Sequence, residues 1–232
     1  YTAGTARAPE HMFNASLQVD LFDADYKDAW KQGYFMLPCD KKVLMKSDYL
    51  RKEAELYINY IAHDEIVADN KFMCKSLKEI NAGSTFLNNW VFERTRELLG
   101  AGKLVALLGG DHSTPLGYYK AIAEKHGDFG ILQIDAHCDL RKCYEGFTYS
   151  HASIMYNALE EMDYIHAGKN RVVTYFDKDI KERQYEGETW KQIVDEIISH
   201  LPEKVFISFD IDGLDPKLCP HTGTPVQGGF ET

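Results

Sequence analysis

Three short apolar runs in this chain each end in a cluster of histidine and aspartate, and that recurrence constrains the fold more than any other feature. Residues 103–108 lead into Gly109-Gly110-Asp111-His112-Ser113, residues 129–134 into Asp135-Ala136-His137-Cys138-Asp139, and residues 205–209 into Asp210-Ile211-Asp212-Gly213-Leu214-Asp215-Pro216. Runs of five or six apolar residues bounded by glycine or charge have the length of buried strands. Before and between them lie stretches that read as helices. One covers residues 49–63, and another starts near Ser84-Thr85 and runs to Leu99, where Gly100 and Gly102 stop it. A third opens at Pro115 and reaches about Lys125, and a fourth spans about 150–161. The fifth, 189–201, gathers Trp190, Ile193, Val194, Ile197, Ile198 and Leu201 on one face. Residues 171–176 read as a further strand. Parallel strands need helical crossovers, so this alternation specifies an α/β fold with a mainly parallel sheet. The whole chain, 1–232, reads as a single domain without linker or repeat, and the aromatic-rich first forty residues receive no assignment.

Composition narrows the function. At 232 residues with 44% hydrophobic and 27% charged, the chain can bury one core. Its net charge of −10, with no basic stripe to offset it, disfavours nucleic acid as a partner. No stretch approaches the ~20 apolar residues of a membrane span, and the polar start Tyr1-Thr2-Ala3-Gly4-Thr5 lacks a signal peptide's basic end and apolar centre. Neither membrane insertion nor secretion is expected. The five cysteines, at 39, 74, 138, 143 and 219, form an odd set without a CxxC pair, which points to reduced thiols and a cytoplasmic setting.

In parallel α/β sheets ligands bind beyond the carboxyl ends of the strands, where His112, Asp135, His137, Asp139, Asp210 and Asp212 all fall. Singly, any of these reads as a cap or a solvated loop residue. Together, four carboxylates at one sheet end repel and desolvate one another unless cations neutralise them. Carboxylates in the majority, with no thiolate needed, suit a hard to intermediate ion such as Mn²⁺. If the segments are extended, alternation puts Asp135, His137 and Asp139 on one side, and likewise Asp210 and Asp212. A carboxylate bridging two ions would hold them at ~3.5–4 Å, the spacing that activates a shared water for hydrolysis. Asp111 is a candidate to orient the site from behind the ligands. Asp210 to Asp215 is not an EF-hand loop, since Asp215 and His221 stand where that loop needs Gly and Glu.

GGDHS at 109–113, DAHCD at 135–139 and SFDIDGLDP at 208–216, in this order, resemble the three signature motifs of the ureohydrolases, the arginase and agmatinase family. The resemblance implies a three-layer α/β/α sandwich and a binuclear Mn²⁺ site that hydrolyses a guanidino compound to an amine and urea through a hydroxide between the ions. It implies His112, Asp135, Asp139 and Asp210 around one ion and His137, Asp135, Asp210 and Asp212 around the other, with Asp135 and Asp210 bridging. His151 stands where the family places a proton-shuttling histidine, and Thr224 in Gly223-Thr224-Pro225 matches a position beside the substrate. A homo-oligomer, trimer or hexamer, is implied as well. Four carboxylates, two dications and one hydroxide sum to about −1, which a small cationic guanidinium substrate would balance.

The substrate's far end is read from two places. Arginases carry Asn two residues beyond the last Asp of DAHxD, whereas this chain has Arg141, which either holds an acid, as DLR does in formimidoylglutamases, or is part of a structural salt bridge. The stretch from Tyr149 to Tyr156 is closer to agmatinases, so agmatine is favoured over arginine or formimidoylglutamate. A catalytically silent metal-binding relative is the alternative. By the same resemblance the sequence is expected to lack C-terminal segments, including a later acid that grips the guanidinium, and a strand between Leu159 and Arg171. Glu231 would then sit near a boundary beside the active-site mouth.

Overall fold

The computed structural model describes residues 4–63, 66–161 and 171–231. In chain order it contains helices α1 (Ala8–Ser16), α2 (Lys41–Ile61), α3 (Lys71–Gly100) and α4 (Leu116–His126), strand β1 (Gly130–Ile134), helices α5 (Ile154–Glu161), α6 (Asp177–Tyr185) and α7 (Trp190–Ser199), and strand β2 (Val205–Phe209).

The two strands are parallel and in register, Gly130 opposite Val205 and Ile134 opposite Phe209. The pairing runs one step further, because the Asp210 N–H donates to the Ile134 carbonyl at 2.8 Å. Both chains therefore leave the sheet at the same level, with Asp135 and Asp210 side by side. On one face of the ladder Phe206 meets the rings of Tyr118 and Tyr119 from α4, and α3 packs along α4. Gly117 makes that approach possible: a Cβ there would lie 2.1 Å from the Asn88 carbonyl oxygen of α3. Leu116, Tyr119, Ile154, Ala158 and Val91 form the buried centre, each large side chain contributing about 1.5–3 kcal/mol by leaving water. The outward residues of β2, Val205, Ile207 and Phe209, remain exposed among the described residues.

Local chemistry explains where the elements begin. Asp40 accepts from the backbone of Lys42 and Val43, so α2 starts well before residue 49. Asn70 accepts from Phe72 and Met73, which starts α3 at Lys71, well ahead of Ser84. Ser84 and Thr85, expected as a helix start, lie inside α3 and donate their hydroxyls back to the carbonyls of Ile80 and Asn81. Thr189 and Gln192 form a reciprocal capping box for α7, whose Ile193 is fully buried.

Two expected strands are corrected. Residues 103–108 turn Val105 and Leu107 towards the core, but no ladder partner lies beside them among the described residues, and the Val105 carbonyl is taken by the Tyr118 hydroxyl. Residues 171–176 likewise pair with nothing among the described residues. Apolar periodicity reports burial, whereas a strand also needs a neighbouring backbone in register. The segment expected to be short of a strand falls mostly on residues 162–170, outside the described residues. The first forty residues contain α1 and a series of turns, with Phe22 and Phe35 largely exposed.

Candidate metal centre

The ligand-type residues are carried on tight turns and not, as alternation suggested, on extended backbone. Asp135 Oδ1 accepts from the His137 N–H at 2.7 Å, and Asp210 Oδ1 accepts from the Asp212 N–H at 3.2 Å, in a 3-10 turn over Ile211–Gly213. These are Asx turns, in which the side chain folds its own backbone. Asp139 adopts a left-handed backbone, φ 51°, a conformation that Asp tolerates better than most residues. Its carbonyl accepts from Met155 and Tyr156 in the first turn of α5, which fixes the corner. Gly213 lets the two strand ends touch, since a Cβ there would stand 3.0 Å from the Asp135 nitrogen.

These turns bring two groups of potential ligands together, His112 with Asp135 and Asp139, and Asp135 with His137 and Asp212. Asp135 belongs to both. Its Oδ2 lies 2.8 Å from His112 Nδ1, and its Oδ1 lies 3.5 Å from His137 Nδ1. Asp139 Oδ2 and Asp210 Oδ2 stand 3.0 and 3.5 Å from His112 Nδ1, while Asp212 Oδ2 is 3.2 Å from His137 Nδ1. Asp210 therefore adjoins the first group through one oxygen and is tied to the Asp212 turn through the other.

The arrangement fits a cation. His112 Nδ1 is buried and makes no hydrogen bond despite its short distances to carboxylates; nitrogen and oxygens surround a common space instead of pairing in line. The side chains of Asp135 and His112 are only 3% and 8% exposed, whereas that of His137 is 38% exposed and marks the open side. Burial alone would depress the His112 imidazole, yet Asp135 and Asp139 outweigh it and raise its pKa to about 10. Burial likewise opposes ionisation of Asp135, but His112, Gln133 and the His137 N–H reverse it and hold its pKa below the usual range. Asp212 is pushed up, by burial first and then by Asp210 and Asp135, against the pull of the Ala136 N–H. Burial and like charge thus oppose the ionised form of Asp212, and a cation bound beside it would favour that form. The donors are nitrogen and oxygen throughout.

Thr224 joins the group, its hydroxyl donating to Asp212 Oδ2 at 3.3 Å. Among the described residues no hydrogen bond or ion pair joins the side chains of Arg141 or His151 to the six ligand-type residues. The Arg141 guanidinium lies over the Tyr144 ring, 5.2 Å from its centroid, and His151 meets the same ring edge-on. Both stay tied to the Asp139 corner, because the Arg141 N–H donates to the Ala152 carbonyl beside His151. His151 opens a 3-10 turn capped by Ser150 and is exposed. The Asp111 carboxylate accepts from the backbone and hydroxyl of Ser113 and closes the turn around His112. Glu231 faces Lys217 at 3.4 Å, one residue beyond Phe230, which bonds to the backbone of Gly213 and Asp215. The cysteines of the motif region, Cys138 and Cys143, are free and exposed.

Two supporting residues were absent from the sequence reading. Gln133 Nε2 donates to Asp135 Oδ2 at 2.8 Å and to the His137 carbonyl at 3.1 Å. Ser208 Oγ lies 2.8 Å from His112 Nε2 and accepts from the Tyr119 hydroxyl at 3.0 Å. A signal for them existed: each is a polar residue in an apolar strand, two positions before an aspartate, and they pair directly across the ladder.

A model of the Arginase family matches residues 1–232. The chain is similar to the N(1)-aminopropylagmatine ureohydrolase of Thermus thermophilus, 39% identical over 145 residues that cover 57% of this chain and 47% of the relative. It is similar also to the guanidinobutyrase of Pseudomonas aeruginosa, 34% identical over 58% of this chain and 47% of the relative, and to the agmatinase of Klebsiella pneumoniae, 35% identical over 58% and 46%. The chain spans about half the length of these curated relatives. Among solved structures, the agmatine ureohydrolase of Thermoplasma volcanium superposes with a TM-score of 0.52 at 25% identity, covering 63% of this chain and 53% of that one. A Clostridium difficile structure shares the fold over 97% of this chain and 71% of its own, with a TM-score of 0.57 at 18% identity. With the family model matching along its whole length and the α/β fold recurring in these neighbours, the chain belongs to the arginase family.

Proposed function

We propose that this chain carries the active site of a binuclear manganese hydrolase that cleaves a guanidino compound, agmatine in first place, to an amine and urea. The observation that carries this reading is Asp135, which gives one carboxylate oxygen to each of two ligand groups. His112, Asp135, Asp139 and Asp210 would hold one ion, and His137, Asp135, Asp210 and Asp212 the other. Two divalent cations bound there would supply the charge that makes a water nucleophilic near neutral pH, and the nitrogen and oxygen donors suit Mn²⁺. Around them the chain's own groups have separate tasks. Gln133 and the His137 N–H fix the Asp135 carboxylate; the Ala136 N–H and Thr224 fix that of Asp212. His151, exposed beside the Asp139 corner, would deliver a proton to the departing amine as the C–N bond breaks and the water oxygen stays on the carbon of urea. Arg141 would decide among these substrates: a guanidinium turned to the mouth would favour a carboxylate end over the second amine of agmatine, and its place over the Tyr144 ring would withhold it from an agmatine site.

The relatives support the substrate class, since their names cover aminopropylagmatine, guanidinobutyrate and agmatine. A cytoplasmic setting accords with the free cysteines, and no helix among the described residues is long and apolar enough to cross a membrane. An assembly of like subunits, trimer or hexamer, completes the proposal, and sedimentation of the purified protein tests it.

The deciding experiment is urea release with added Mn²⁺ across agmatine, N(1)-aminopropylagmatine, guanidinobutyrate, arginine and guanidine, with formimidoylglutamate assayed by formamide. Turnover of agmatine above the others is the expected result. Preference for guanidinobutyrate would assign Arg141 the role of carboxylate anchor. A metal-loaded protein inert on every compound would replace the enzyme with a silent metal-binding relative.

A further inference from the structure

We propose that Ser208 is a positioning residue for the metal centre: with Tyr119 behind it, its hydroxyl holds the His112 imidazole so that Nδ1 faces Asp135 and Asp139. The inference rests on the binuclear reading above and concerns residues outside the ligand set.

His112 needs such support because no helix or strand carries it. It lies in the turns between residues 103–108 and α4, where a ring is free to rotate unless something holds its second nitrogen. Ser208 does so from β2, with His112 Nε2 at 2.8 Å, and the Tyr119 hydroxyl reaches the same oxygen from α4 at 3.0 Å. Both supports are fixed. Ser208 is 4% exposed and Tyr119 is fully buried, its ring edge-on to Phe206. Ser208 is also the one polar residue in β2, at an inward position where a valine would bury more apolar surface. A buried hydroxyl is costly unless bonded, so the position makes chemical sense only through its two partners.

For Nδ1 to give its lone pair to a cation, the ring proton must sit on Nε2 and find an acceptor there. The Ser208 oxygen has two lone pairs, enough to accept from both Nε2–H and the Tyr119 hydroxyl. Without it, Nε2–H is buried with no acceptor, or the ring turns and Nδ1 leaves the acids. A role confined to core packing would lower stability and leave metal binding untouched, and this difference makes the proposal testable.

The full chain and its Ser208→Ala, Ser208→Thr and Tyr119→Phe variants are titrated with Mn²⁺ by equilibrium dialysis and elemental analysis. Electron paramagnetic resonance reports the spin-coupled pair, and thermal melts with chelator report the fold. The expected result is that Ser208→Ala weakens one of two ions by about 10–100-fold, the usual effect of removing a ligand's hydrogen-bond partner, and loses the coupled signal at limiting metal. Ser208→Thr should restore both, and Tyr119→Phe should show a smaller fall at the same ion. Tyr119→Phe keeps the ring and carries the test should Ser208→Ala fail to fold. Two ions bound with the parent's affinities in both Ser208→Ala and Tyr119→Phe would overturn the proposal, as would equal weakening of both ions alongside a general loss of stability. A parent chain that binds no Mn²⁺ at all would overturn the binuclear reading and this inference together.

Discussion

The acidic stretch near the N-terminus and the acidic ends of the two strands use the same local chemistry and reach opposite results. Asp20 accepts from the Phe22 N–H, and Asp23 from those of Asp25 and Tyr26, just as Asp135 accepts from His137 and Asp210 from Asp212. Near the N-terminus these Asx turns stand alone, exposed, next to a Phe22 that is 80% open to solvent. At the strand ends the same turn is repeated on two backbones locked in parallel register, with α4 behind them. An aspartate turn therefore makes an ordinary bend in one place and half of a candidate metal centre in the other. The ladder makes the difference, because it sets two such turns at one height and buries the Asp135 and Asp212 side chains that they present.

The largest expected break in this comparison is Asp135→Ala set against Asp23→Ala. Both remove an Asx turn, but only Asp135 serves two ligand groups. Elemental analysis after Mn²⁺ loading should find neither ion retained in Asp135→Ala, one retained in Asp139→Ala or Asp212→Ala, and the parent content in Asp23→Ala. Equal metal content in the Asp135, Asp139 and Asp212 variants would show that Asp135 does not serve both ions.

Next in size is His151→Ala, which touches the mouth without touching the ligands. It should keep both ions and lose about 10²–10⁴ in turnover, the usual worth of a general acid or base, with partial recovery in added imidazole. Normal turnover at neutral pH would reduce His151 to a helix-start residue.

Gln133→Leu sharpens the comparison from inside the ladder, where the side chain holds Asp135 Oδ2. Mn²⁺ affinity should fall by about 10–100-fold while the melting temperature of the metal-free protein stays close to the parent's. An unchanged affinity would leave the Asx turn alone in charge of that carboxylate.

The smallest effects concern packing. Gly213→Ala places a methyl 3.0 Å from the Asp135 backbone and should cost about 1–3 kcal/mol by forcing the strand ends apart. Phe22→Ser, at the exposed turn, should stay within about 0.5 kcal/mol. Chemical denaturation of both variants measures the contrast, and a Phe22 effect as large as that of Gly213 would mean the N-terminal aromatics pack after all.

Much of the site was legible in the sequence, because what marks it is local. Each apolar run ending in His and Asp announces itself within a few residues, so His112, Asp135, His137, Asp139, Asp210 and Asp212 could be named before any coordinates, and the helices of residues 115–125, 150–161 and 189–201 followed from periodicity. The structure brings these six side chains to one corner and sets Thr224 against Asp212. What stayed hidden depends on partners far along the chain. Periodicity marked residues 103–108 as buried but could not supply a neighbouring strand, and Ser84-Thr85 looked like a helix start because a hydroxyl caps or back-bonds according to what precedes it. Gln133 and Ser208 gain their roles only when the ladder pairs them, and Tyr119 only when α4 lays its hydroxyl against β2. Sequence alone determined which groups could bind a metal, through their types and their spacing. Only the tertiary structure decided which of them share a height, a face and a hydrogen-bond partner, since those relations are set by register and packing between segments 76 to 96 residues apart.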